Sequence, residues 1–199
     1  MSLIAGKSKK AKRVRPEDGT YVARIAQVVD LGRQQQYDYR TGEAREWDDG
    51  GMMVKPEAWV TFELPTETHE FKEGEGEMPL WVSKRYTVSS HAKAAMSGLI
   101  KAAGGKEGDL GSVLGSSVMV TVGSTKSGNA KIESVSAPMK GMEVPDLQKD
   151  PIVFSLDDPD EGVFSSLPPF IQDLIKNSEG FTPFTSTPAT EETDEDLPF

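Results

Sequence analysis

The chain has 199 residues, enough for one domain of ordinary size with tails or for two small domains. It contains no cysteine, which excludes disulfides, thiol catalysis and thiolate metal sites, and it contains only two histidines, so we expect no metal or other cofactor. There is no apolar run long enough for a membrane span and no apolar stretch after the first cations, so we expect a cytoplasmic protein without a membrane contact.

The formal net charge of −10 is unevenly distributed. Residues 1–142 hold 18 acidic and 20 basic side chains, whereas residues 143–199 hold 14 acidic and two basic ones. The first fifteen residues carry six cations and no acid. The chain is therefore polarised into a basic arm, a near-neutral body and an acidic tail, and we expect the arm, residues 1–16, to be disordered.

The body, residues 17–137, has the residue pattern of a small β domain. Residues 20–30 are rich in β-branched side chains and predict a first strand. The polar stretch 32–51 that follows contains Tyr37, Tyr39 and Trp47 and predicts a long loop.

Two further strands are predicted on either side of an acidic loop at 67–77. Strict alternation over 58–64 predicts the second strand, with Trp59 on the face opposite Phe62, and Pro65 is expected to end it. Residues 80–87 predict the third strand.

A helix is the next element of the body. It is predicted to begin after a capping serine at 89 or 90, to carry one apolar stripe and to stop at Gly104-Gly105. Strands are predicted over 117–122 and 130–135, and the Gly-, Ser- and Lys-rich residues 123–129 between them predict a hairpin loop.

Three strands, a helix and two strands follow one another in the order of the OB-fold. This fold is a five-stranded, partly open Greek-key barrel that binds oligonucleotides. We therefore predict a mainly β protein with an OB-type barrel over residues 17–137. Other small barrels have a compatible order of elements.

Beyond the barrel, residues 138–181 predict a linker that contains one short amphipathic helix. This helix is predicted over 166–177, with a capping serine and first-turn prolines. Its apolar face can pack on the barrel, or it can contact another protomer or a partner. Residues 182–199 predict a disordered acidic tail that ends in an interaction tip.

The tip combines an acidic run with apolar residues that a solvated tail usually lacks. Burial of a Leu or Phe side chain is worth about 1.5–3 kcal/mol, so a receiving surface on a partner is expected. The ending resembles the C-terminal tip of bacterial and phage single-stranded DNA-binding proteins. The predicted partner-binding residues are Asp194, Glu195, Asp196, Leu197, Pro198 and Phe199.

As a whole, the chain looks like a phage-type single-stranded DNA-binding protein, with an OB barrel, a linker that carries a short helix, and an acidic tip. It lacks the long Gly/Gln-rich linker common in the bacterial proteins. The resemblance implies a protein of the bacterial host cytoplasm that coats single-stranded DNA during replication, recombination or repair. It also implies that the tip recruits a polymerase, helicase or primase. Whether the protein is a monomer or a homo-oligomer stays open.

Single-stranded DNA binding needs cations for the phosphates and flat rings for the bases. Trp81 and Arg85 share one face of their strand, and we assign that face to DNA because burying Arg85 unpaired costs several kcal/mol. A core role for either strand tryptophan, and a simply solvated loop around Lys126, are the alternatives. The predicted nucleic-acid-binding residues are Arg33, Tyr37, Tyr39, Arg40, Trp59, Trp81, Lys84, Arg85 and Lys126.

No enzyme motif stands out, and we expect a protein without catalytic activity. Gly6-Lys7-Ser8 lacks the upstream glycine and strand of a phosphate loop, and the paired acids at 48–49 and 157–158 lie in predicted turns. Two other functions fit the same pattern. One is a protein-interaction adaptor built on a small β-barrel, and the other is a recombination mediator that anneals strands.

Overall fold

The computed structural model describes residues 14–38, 40–182 and 184. Within this part of the chain the fold is mainly β, as predicted, with six strands and three short α-helices. The strands are β1 (Gly19–Gln35), β2 (Val54–His69), β3 (Met78–Thr87), β4 (Ser117–Ser124), β5 (Ala130–Ser136) and β6 (Ile152–Phe154). The helices are α1 (Ala95–Ala102), α2 (Glu161–Ser166) and α3 (Pro169–Lys176), and a 3-10 turn spans Gly111–Val113.

Strands β1 to β5 form one antiparallel path in the order β3-β2-β1-β4-β5. The long strand β1 pairs with two different strands along one of its edges. Its residues Gly19–Arg24 pair with β4, and Gln27–Val29 pair in parallel with β6. A register shift between Ile25 and Gln27 marks the change of neighbour. The sheet is open, with β3 and β5 at its two ends.

Strand β2 passes through Pro65 instead of ending there, so the predicted stop is wrong. The β2–β3 ladder has a register shift between Leu64 and Thr68, and Pro65 lies inside it. Proline has no N–H to donate, so it is tolerated where the ladder is already interrupted. Strand β1 likewise runs on to Gln35, into the stretch predicted as a loop.

The main core lies between the inner faces of the strands and α1. The alternation of β2 is confirmed, since Val60, Phe62 and Leu64 are all fully buried in this core. The serine cap predicted for α1 is wrong: Ala94 precedes the helix without a side-chain cap, and Ser89 instead accepts from the N–H of His91 in the turn before it. Other members of this core include Ile25, Leu80, Val82, Tyr86, Met96, Leu99, Ile100, Val113 and Ile132.

A second core covers the outer face of β1 and β2. Val29 and Leu31 of β1 are fully buried there, beneath β6, α2 and α3. We call residues 152–181 the cap. The helix predicted over 166–177 begins at Pro169 and packs on the barrel, and a separate helix, α2, is capped by Asp160. The buried residues from the cap are Phe154, Phe164, Leu167, Ile171 and Ile175.

The crossing segment, residues 139–151, connects β5 to the cap and is held by Arg24. The Arg24 guanidinium donates to the carbonyl oxygens of Pro145 (2.6 Å), Val144 (2.8 Å) and Gly115 (3.0 Å). It also pairs with the Asp146 carboxylate at 2.9 Å. Much of the segment predicted as a linker is thus attached to the barrel. No helix in the described ranges is long and apolar enough to cross a membrane.

Candidate nucleic-acid interface

The outer faces of β2 and β3 carry three of the nine predicted nucleic-acid-binding residues, Trp59, Trp81 and Arg85. The ladder places Trp59 opposite Arg85, and Glu63 opposite Trp81. Because successive side chains of a strand point to opposite faces, these four residues share the face that looks away from the main core. Thr61 and Ser83 lie between the two pairs and hydrogen-bond to each other at 3.0 Å.

Trp81 presents its ring to solvent and is held by its nitrogen. The residue is 44% exposed, and its indole Nε1 donates to Glu63 Oε2 at 3.1 Å. Glu63 itself is only 1% exposed, and its Oε1 accepts from the backbone N–H of Gln148 at 3.0 Å. One buried carboxylate therefore anchors both the exposed ring and the crossing segment.

Arg85 is paired with a carboxylate that the sequence argument missed. Its guanidinium forms an ion pair with Glu57 Oε2, and Glu57 Oε1 accepts from the side-chain amide of Gln36 at 3.0 Å. Glu57 was overlooked because β2 was predicted to begin at residue 58. The period-two spacing of Glu57 from Trp59 is the signal that assigns both to one face.

Trp59 has a packing role on the face that was predicted to bind DNA. Its ring meets the ring of Phe170 edge-on, with centroids 5.5 Å apart, and packs against the second core. The alternation correctly turned Trp59 away from the main core. The helix α3 lies over the same face, so Trp59 is partly buried there, and its part in DNA binding stays a prediction.

The residues 36–53 form two short hairpins, which we call the hairpin extension. Tyr37 bridges Ala44 in the first hairpin, and Glu46 bridges Met52 in the second. Backbone N–H groups of Arg40 and Thr41 donate to Asp38 and lower the pKa of its carboxyl.

Exposed rings lie on both hairpins of the extension. Tyr37 is 62% exposed in the first, close in sequence to the exposed Arg40. Trp47, which was not among the predicted site residues, is exposed in the second beside the acidic pair at 48–49. The extension carries five acidic and two basic residues in all, so its net charge disfavours phosphate, most strongly near Trp47 and the acidic pair beside it. Tyr39 lies outside the described residues.

Lys84 lies on the inner side of β3, where this strand approaches β5. Its Nζ donates to the carbonyl oxygen of Ile132 at 3.4 Å and lies 5.4 Å from the ring centroid of Tyr86. Burial, and secondarily the neighbouring charge of Lys131, lower the pKa of Lys84. Burial also raises the pKa of Tyr86 to about 12, and its hydroxyl is buried without a hydrogen-bond partner among the described residues.

Arg33 and Lys126 lie apart from this surface. Arg33 is bound to the end of the cap: its Nε is 3.5 Å from Glu179 Oε2, and its carbonyl accepts from the N–H of Glu179 at 2.9 Å. Lys126 is exposed in the β4–β5 hairpin, near the start of β1, whereas the hairpin extension follows the end of β1. The structure therefore groups Trp81, Lys84 and Arg85 on one strand. The tip, Asp194–Phe199, lies outside the described residues.

The described residues contain no group of three or more His, Cys, Asp or Glu side chains arranged to hold a metal ion. Protein-family models, curated proteins and solved structures were compared with the chain, and none of them matches it.

Proposed function

We propose that the protein binds single-stranded DNA without strong sequence preference, through the outer face of β3 and the first hairpin of the extension. The observation that carries this proposal is the half-exposed indole of Trp81, held by buried Glu63 on a strand that also carries Lys84 and Arg85. A fixed, exposed ring is a surface on which a base can stack, and cations elsewhere along the same strand of DNA neutralise its phosphates.

We also propose that the barrel is of the OB type. The path β3-β2-β1-β4-β5, the position of α1 between β3 and β4, and the approach of β3 to β5 all support a partly open five-stranded barrel. OB barrels bind oligonucleotides on the face of their second and third strands. In this protein the cap covers the β2 side of that face, which moves the proposed DNA path toward β3.

The proposed path depends on stacking more than on Arg85. A stacked base contributes about 1–3 kcal/mol and is accepted whatever its identity. Arg85 is already paired with Glu57, so it adds little positive charge to the face. Duplex DNA is disfavoured, because its bases are stacked on one another and do not reach the ring of Trp81.

In this proposal the protein is a binding protein rather than an enzyme, and it coats single strands during replication, recombination or repair. Asp194–Phe199 recruits a polymerase, helicase or primase, with Phe199 entering an apolar pocket and the carboxylates pairing with cations of that partner. Deletion of residues 190–199 is expected to abolish partner binding and to leave strand coating intact. At low salt it is expected to raise DNA affinity, because less screening then opposes repulsion by the tail.

The proposal is tested by titrating the protein with poly-dT at 50 mM salt and following tryptophan fluorescence. We expect quenching and an affinity that falls steeply with salt, since phosphate neutralisation releases counterions. Duplex DNA of matched length is the control and is expected to bind more weakly. A chain that neither quenches nor binds poly-dT at 50 mM salt contradicts the function.

One observation favours a second candidate, the protein-interaction adaptor. The second hairpin of the extension exposes Trp47 and Met52 beside Asp48 and Asp49, and this combination suits a basic, partly apolar protein surface better than a phosphate backbone. The two candidates are separated by comparing Trp81→Ala with Trp47→Ala in poly-dT binding. If only Trp81→Ala weakens the affinity for poly-dT, the DNA-binding function proposed here is favoured. An annealing assay with complementary strands distinguishes coating from strand annealing.

A further inference from the structure

The ends of the sheet meet at a seam between β3 and β5. Neither strand has a further ladder partner among the described residues, because they are the terminal strands of the path. A side chain spans the seam at Lys84, whose Nζ reaches the Ile132 carbonyl at 3.4 Å. This distance exceeds the usual 2.7–3.2 Å of an N–H···O bond, and an ammonium has three protons to donate. Lys84 therefore has donor capacity beyond this contact.

A second cation lies beside the first. Lys131 is exposed, directly precedes Ile132 on β5, and is close enough for its charge to act on Lys84. No ion pair joins either lysine to a carboxylate of the described chain within 4.0 Å. The carboxylate of Glu133, the nearest acid along β5, lies over Gly123 of β4, which is the ladder partner of Lys131, but it makes no ion pair with that lysine.

We propose that Lys84 and Lys131 together hold one phosphodiester phosphate of a bound single strand at the β3–β5 seam. This inference rests on the proposed DNA-binding function and adds to it a defined phosphate site. An anion there supplies a further acceptor for Lys84 and offsets the repulsion between two neighbouring ammonium groups. The site lies about 10 Å along β3 from Trp81 at the rise of a strand, and Trp81 lies on the other face of β3. A strand of DNA that covers both therefore crosses the free edge of β3 at the seam.

The number of phosphates neutralised is read from the slope of log affinity against log salt concentration. Loss of one phosphate contact reduces this slope by about 0.7 for single-stranded DNA. We expect that reduction in Lys131→Ala and in Lys84→Met, measured with an oligo-dT by fluorescence anisotropy. The double variant is expected to lose one contact and not two, because the two lysines hold the same phosphate. Thermal unfolding establishes that each variant is folded.

Lys176→Ala is the matched control. Lys176 is an exposed lysine of α3, which packs on β1 and not at the seam, so its removal takes away the same charge elsewhere on the surface. Its salt slope is expected to equal that of the unmodified protein. If Lys131→Ala and Lys84→Met also keep the full slope while oligo-dT still binds, the seam site is wrong and the DNA-binding function stands. If the unmodified protein does not bind oligo-dT, both are wrong.

The nature of the anion is tested by NMR of the Lys84 side chain. We expect oligo-dT to shift its resonances, whereas inorganic phosphate at the same phosphate concentration leaves them in place, because the site depends on a strand anchored at Trp81. An equal response to inorganic phosphate indicates a general anion site and contradicts the assignment to a bound strand. If oligo-dT is shown to be bound and the Lys84 resonances do not shift, the assignment of the phosphate site is also contradicted.

Discussion

The indole N–H of Trp81 donates a 3.1 Å hydrogen bond to a carboxylate oxygen of Glu63, across the β2–β3 ladder. The donor belongs to an exposed ring and the acceptor to one of the most deeply buried charged groups of the described chain. The other oxygen of Glu63 holds the backbone of Gln148. The orientation of a candidate stacking ring is thus linked to the attachment of the crossing segment.

Replacement of this carboxylate is expected to affect stability and binding together. Glu63→Ala removes the acceptor of the partly buried Gln148 N–H, and the loss of one hydrogen bond is expected to lower the free energy of unfolding by about 0.5–1.5 kcal/mol. The freed ring of Trp81 is expected to weaken oligo-dT binding. Urea unfolding and anisotropy measure the two effects, and Glu133→Ala, an exposed acid of β5, is the control expected to change neither. Unchanged stability and affinity in Glu63→Ala contradict the anchoring role.

The two strand tryptophans are expected to separate binding from stability. Trp81→Ala removes an exposed ring, so it is expected to weaken oligo-dT binding by about 1–3 kcal/mol, the value of one stacked base. Trp59→Ala opens the packing against Phe170 and is expected to lower the free energy of unfolding by about 1–2 kcal/mol, because Trp59 is only partly buried and Phe170 is half-exposed. Affinities for oligo-dT are compared per folded molecule. If the two variants then bind equally well, the assignment of Trp81 as the stacking ring is contradicted.

Arg24 is expected to hold the crossing segment mainly through carbonyl oxygens. Arg24→Ala releases the carbonyls of Gly115, Val144 and Pro145, so hydrogen exchange of residues 139–151 is expected to accelerate. The Asp146 side chain is 96% exposed, and an exposed ion pair contributes only about 0–1 kcal/mol. Asp146→Ala is therefore the control with near-normal exchange. Equal acceleration in both variants is the result that overturns this explanation.

The alkaline dependence of DNA binding is expected to report on Lys84. Because burial and Lys131 hold the pKa of Lys84 below 10.5, its charge is lost before that of an ordinary lysine as the pH rises. Affinity for oligo-dT is expected to fall as the pH rises through the pKa of Lys84, below 10.5. The variant Lys84→Met, which has no amine at this position, is expected to lack this decrease.

Over the same pH range, the stability of the folded protein is expected to change in the opposite direction. The folded state disfavours the charged amine, so this unfavourable contribution is complete below the folded pKa and is relieved as pH rises toward 10.5. Titrations of affinity and of urea stability from neutral pH upward measure the two trends. Identical profiles for the unmodified protein and Lys84→Met contradict the prediction.

The strands of the barrel were predictable because their signal is local. A strand buried on one side alternates with period two, and this rule correctly placed Phe62 in the core and Trp81 outside it. The same rule failed at Pro65, because the register shift that accommodates a proline depends on the partner strand β3. The cap was only partly predicted. The apolar face of α3 indicates that this helix packs against another surface, but it does not identify that surface.

The β character, the faces of β2 and β3, and the division of charge between body and tail could be read from the amino-acid sequence, because each depends on residues close together in the chain or on composition. The packing of Trp59 against Phe170, the hydrogen bond of Trp81 to Glu63, and the contact of Lys84 with β5 follow from the folded chain alone. These contacts join residues far apart in the chain. Their meeting depends on strand register and on where the cap packs, and no local periodicity encodes either one.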